Sequence, residues 1–295
     1  MLQGNSPSFV KGPLFECLLA GLTLGLAGCA TIYNPATERN ETILSTGMEI
    51  ALGNMAKTQM GLGGLTKGRV HPEELARVQR VGKKIASVSD RQDLGYQFGV
   101  VKNDTPNAFT LPGGTIYIHT GILDKATDAE LASVIAHEVG HVAARHVVKH
   151  LQADLGFTVA MGIAQAAGAG QGPARVANSL YGLFSNGFSR QDELEADQLA
   201  IRYTDRAGYD PWAIVSFFEK MLSEEKETGL DRAAVWRSTH PLTSERIAEA
   251  KKTLSGMEGR LFCPECGRTY PGKAKFCEKD GAVLKELSRK GEKRP

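Results

Sequence analysis

His137-Glu138-Val139-Gly140-His141 places two histidines four residues apart, with a glutamate directly after the first. Apolar residues flank it at Leu131, Val134, Ile135 and Val142, so the segment reads as a helix set in a core. Positions four apart share a helix face. The two imidazoles therefore point together and can take one metal ion. Glu138 stands beside them, where a carboxylate can accept a proton from an attacking water. Buried histidine and glutamate need partners, and a metal supplies them. The spacing predicts one helix over residues 128 to 151, capped by Thr127-Asp128-Ala129-Glu130. His146 and His150 fall off its metal face and read as structural or exposed.

A catalytic zinc usually takes three protein ligands and keeps one position open. The third ligand is sought in Asp192-Glu193-Leu194-Glu195-Ala196-Asp197. Glu193 and Asp197 are four apart on a predicted helix, and Glu195 is rotated away from both. The natural assignment puts Glu193 on the metal and Asp197 behind it, accepting a hydrogen bond from a ligand histidine. Glu195 is the competing ligand.

Around these two helices, residues 96 to 101 and 115 to 119 read as strands, being β-branched or aromatic between turn residues. The stretch between them, Asn107-Ala108-Phe109-Thr110-Leu111-Pro112-Gly113-Gly114, suits an edge strand or a bulged turn. Further helices are expected over residues 38 to 60, 72 to 88, 154 to 167, 191 to 207, 211 to 227 and 241 to 254. The sum is an α+β fold, helix-rich, with a small sheet.

HEVGH, a second helix bearing ExxxD, and NAFTLPGG before a strand together resemble the HtpX-like and CAAX-protease-like gluzincin zinc metallopeptidases, in particular their periplasmic lipoprotein branch. The resemblance runs over residues 70 to 255. It implies a zincin-like metallopeptidase domain, placed here at residues 38–256. It also implies one catalytic zinc on His137, His141 and Glu193, with Glu138 as general base. The implied activity is that of an endopeptidase acting on unfolded or misassembled cell-envelope proteins. A peptide would pair with a sheet edge at Asn107, Ala108 and Phe109. His240 and Arg246 form a His-Pro-x4-Arg pattern that the family shares. Either is a candidate oxyanion donor. His240 has two other readings, as occupant of the open metal position or as a helix cap, and Arg246 one, as half of a structural ion pair. The competing function is a chaperone or assembly scaffold for outer-membrane proteins with little or latent proteolysis.

The ends of the chain carry separate signals. Lys11 and a short apolar run describe a secretory signal, and Leu26-Ala27-Gly28-Cys29 resembles the bacterial lipobox, which implies a lipoprotein signal over residues 1–28 with lipid on Cys29; an ordinary secreted protein or a start site assigned too early is the other reading. Ala30 stands where inner-membrane retention uses aspartate, which favours the periplasmic side of an outer membrane. Residues 29–37 would be a tether. Cys263, Cys266, Cys277 and Asp280 resemble a zinc ribbon over residues 260–284, either holding a second, structural zinc or forming a disulfide. Residues 285–295 read as a basic tail. A formal net charge of +2 on 295 residues gives no reason to expect a nucleic-acid partner.

Overall fold

The computed structural model describes residues 29–155 and 187–228, most of 244–286 in pieces, and residues 182 and 240–241. The chain opens with an antiparallel hairpin, β1 (Cys29–Asn34) and β2 (Arg39–Leu44), in register from Cys29–Leu44 to Asn34–Arg39. Two expectations are corrected here. Residues 29 to 34 form a strand where a tether was expected, and the helix expected from residue 38 begins only after β2. Thr42 and Ile43 suit an extended chain, and Ser45 then caps α1 (Thr46–Gln59) by accepting from Met48 N. The hairpin is fastened to the domain, because Asn34 Nδ2 donates to Ala143 O at 3.1 Å.

The main sheet has the order β3-β4-β6-β5. β3 (Thr66–Lys67), β4 (Gln97–Val101) and β6 (Thr115–His119) run parallel, and β5 (Ala108–Leu111) pairs antiparallel with β6. β5 is therefore an edge in topology, as expected. It is not an open edge: Ala108 is 0% and Thr110 1% exposed.

α2 (Pro72–Ala86) starts on Pro72, whose missing N–H costs nothing at a helix start. The short α3 (Thr120–Leu123) continues from β6. Then comes α4 (Asp128–Ala143), capped as expected by the reciprocal Thr127–Glu130 pair. Every residue from Glu130 to Ala143 is buried, so α4 is the axis of the core. It lies between the sheet, α2, α6 (Arg190–Arg206) and α7 (Ala213–Thr228). α8 (Ser244–Ser255) packs on α6 and α7. Gly140 is what lets α6 approach so closely. A Cβ there would sit 3.1 Å from Ala196 O and 3.2 Å from Leu199 Cβ.

The helix predicted to run to residue 151 is broken. Arg145 takes a left-handed φ of 59°, and a new helix, α5 (His146–Leu155), begins after it. That conformation is unfavourable for a residue with a Cβ. The Arg145 side chain holds it, with Nη1 3.2 Å from Leu44 O and 3.4 Å from Glu49 Oε2. Glu49 is itself buried and takes two bonds from Arg91, at 2.6 and 3.0 Å.

The C-terminal segment forms a three-stranded sheet, β8-β7-β9, of β7 (Leu261–Phe262), β8 (Thr269–Tyr270) and β9 (Lys285–Glu286). Cys277 is buried in a tight turn closed by Gly281 N to Cys277 O at 2.9 Å. Cys263, Cys266 and Asp280 lie outside the described residues, as does most of the helix expected over residues 154 to 167. No helix among the described residues is long and apolar enough to cross a membrane.

Candidate metal centre

α4 presents His137, Glu138 and His141 to α6, and α6 presents Glu193 and Asp197 in return. His240 and Arg246 enter from the start of α8 and the turn before it. All seven side chains are buried.

The donor atoms converge. His137 Nε2 is 3.0 Å from His141 Nε2 and 3.5 Å from Glu193 Oε2, and His141 Nε2 is 3.3 Å from Glu193 Oε1. His240 Nδ1 completes a group of four, 3.2 Å from His137 Nε2 and 3.0 Å from Glu193 Oε1. Atoms bonded to one tetrahedral zinc at about 2.0–2.1 Å lie about 3.3 Å from each other. The observed separations match that spacing. The tautomers match as well: His137 Nδ1 faces Asp197 Oδ1 at 2.9 Å, so the ring proton belongs on Nδ1 and the lone pair of Nε2 faces the other donors. The residues present therefore fit a zinc ion.

The structure thus brings together His137, His141 and Glu193. It does not bring Glu195 to them, because Glu195 Oε2 lies 3.2 Å from His146 Nε2 instead. Asp197 is where it was expected, behind His137.

Of its two readings, Arg246 takes the geometry of the structural ion pair. Its Nε and Nη2 each lie 2.7 Å from an Asp197 oxygen, and Nη1 lies 2.5 Å from Glu193 Oε2 and 3.1 Å from Pro241 O. The guanidinium bridges the two carboxylates of α6. Two features had no signal in the sequence: Phe188 stacks on the His141 ring at 3.9 Å between centroids, and His146 turns back toward His141.

Charge is arranged unevenly. Burial pushes the Glu138 carboxyl above the usual range, against the pull of His240 and His137. Neither Glu138 oxygen has a hydrogen-bond partner among the described residues, and His240 Nε2 stands 3.4 Å from Oε1. Burial also works against a charged Glu193, but His240, Arg246 and the two ligand histidines outweigh it and hold that carboxyl well below the usual range. For His137, burial is outweighed by Asp197 and Glu193, and its pKa is raised to about 9. Burial pushes His141 well below its ordinary value.

A family model described as Peptidase family M48 matches residues 72–254, more than half of the chain and the whole of this site. The chain belongs to that family. Its relatives include the beta-barrel assembly-enhancing protease of Escherichia coli K12, 29% identical over 266 residues that cover 84% of this chain and 53% of the relative. The mitochondrial metalloendopeptidase OMA1 of Schizosaccharomyces pombe is 32% identical over 210 residues, 70% of this chain and 61% of that one. The metalloprotease LoiP of Escherichia coli K12 is 28% identical over 186 residues, 62% of this chain and 71% of that one. The M48 chain thus spans about half the length of the first of these relatives. The resemblance read from the motifs and the α+β, helix-rich fold both stand on this family membership.

Proposed function

We propose that this M48 chain is a zinc-dependent endopeptidase that cleaves unfolded or misassembled proteins of the cell envelope. The observation that carries the reading is the convergence of His137, His141 and Glu193 at zinc-ligand spacing, with Glu138 buried beside them and without a hydrogen bond among the described residues. Zinc held there supplies a Lewis acid that activates water and polarises the scissile carbonyl. Glu138 takes the proton of the attacking water and passes it to the leaving amine. Burial raises its affinity for a proton. Asp197 fixes the His137 tautomer, and Arg246 holds Asp197 and Glu193 in place.

The described conformation is a closed one on this reading. His240 stands in the donor group where substrate would approach, and on the β5 edge Asn107 and Ala108 are buried while Phe109 is partly exposed. Opening would free both, so that an extended peptide could add to β5. The same two observations favour, as a second reading, a scaffold that binds such chains and cleaves them rarely. We place the protein on the periplasmic side of the envelope, anchored by lipid at Cys29, with either a second zinc or a disulfide in the C-terminal ribbon.

The test is cleavage of unfolded casein by the His240→Ala variant before and after chelation. Activity lost with the metal and restored by added zinc supports the reading, and activity indifferent to chelation sinks it.

A further inference from the structure

His146 was expected off the metal face, and the break at Arg145 brings it back. Its ring is 0% exposed, and its Nδ1 lies 2.9 Å from Nδ1 of His141. Two imidazole nitrogens at that distance need one donor and one acceptor. His141 turns Nε2 toward the donor group, so its proton belongs on Nδ1 and it is the donor. His146 Nδ1 must then accept, which puts the His146 proton on Nε2. That atom faces two carboxylates, Glu195 Oε2 at 3.2 Å and Asp192 Oδ1 at 3.4 Å. Phe188 stacks on the His141 ring and blocks its rotation from one side.

We propose that His146, oriented by Glu195 and Asp192, is the positioning residue that fixes the tautomer and ring orientation of the ligand His141. The inference rests on the zinc-site reading above. The site then has two supports of unlike chemistry: His137 is backed directly by a carboxylate, and His141 is backed by a neutral imidazole that a carboxylate orients in turn. Glu195 serves the metal at one remove.

Supporting partners of this kind typically change metal affinity by about 10- to 100-fold when removed. The experiment measures zinc affinity of the full chain by chelator competition, with the visible spectrum of the cobalt-loaded protein as a second readout. His146→Phe fills the space without an acceptor, and should weaken zinc about 10- to 100-fold and shift the cobalt bands. His146→Gln offers an acceptor to His141 and a donor to Glu195, and should stay within about 3-fold of wild type. Equal affinity in wild type and His146→Phe overturns the proposal. So does equal weakening in Phe and Gln, which would mean packing alone. If His146→Phe does not fold, the double variant Asp192→Asn/Glu195→Gln decides. Weaker zinc binding supports the proposal, and unchanged binding overturns it. A wild-type chain that binds no zinc would instead overturn the site reading itself.

Discussion

Nδ1 of His240 lies 3.0 Å from Oε1 of Glu193, inside the group of atoms that suits a metal. On the proposed reading a fourth protein donor occupies the position that substrate would take, and the activity then depends on how often His240 withdraws. If the open form holds about 1–10% of the population, removing the side chain raises the rate about 10- to 100-fold. Casein cleavage by His240→Ala, compared with wild type at equal zinc loading, measures that factor. A variant slower than wild type would mean that His240 assists the reaction.

Arg246 is 1% exposed and bridges Asp197 and Glu193, which are 3% and 1% exposed. Removing it leaves two buried carboxylates with the His137 ring but without the guanidinium that bridges them. Breaking such an arrangement costs about 3–5 kcal/mol. Urea unfolding of metal-free Arg246→Ala should show that loss, with Arg246→Lys between the two. A loss below about 1 kcal/mol, the range of a surface pair, would contradict the buried bridge.

The same groups set a pH dependence for the metal-free protein. His137 is raised to about 9 against an unfolded value of about 6.5. A raised histidine stabilises fully below its unfolded pKa, and that contribution is lost as pH rises through 9. Asp197 and Glu193 are lowered, so their contribution is present above about 4 and is lost on further acidification. Urea midpoints should therefore fall as pH rises from 6.5 through 9, and also on acidification, beginning below about 6.5 where unfolded His141 gains a proton that burial denies the folded one, and steepening below about 4. Zinc must displace the His137 proton, so its affinity should climb over the alkaline window while stability without metal falls. The Asp197→Asn variant should flatten both trends, and a wild-type affinity independent of pH between 6.5 and 9 would contradict them.

The metal-bearing part of the fold was legible because its signals are periodic. His137 and His141 share a face by spacing alone, and so do Glu193 and Asp197. The strands over 97–101 and 115–119 follow from β-branched runs between turn residues. The departures were decided by tertiary contacts. Ala143-Ala144-Arg145-His146 contains neither glycine nor proline, yet the helix stops there because Glu49 and Leu44, distant in sequence, hold Arg145. Residues 39–44 read as helical until β1 offers them a partner strand. Arg246 reads either as an oxyanion donor or as half of a structural ion pair, because spacing says nothing of the two carboxylates it meets.

Glu138 bears the central claim, being buried, raised in pKa and free of hydrogen bonds to described neighbours. The most direct measurement is casein cleavage and zinc content in Glu138→Gln, made in both the wild-type and His240→Ala backgrounds. Full zinc occupancy with cleavage reduced about 10²- to 10⁴-fold is the predicted result, since the metal site survives and only the base is gone. Cleavage by Glu138→Gln at the parent rate, with zinc still bound, would contradict the account.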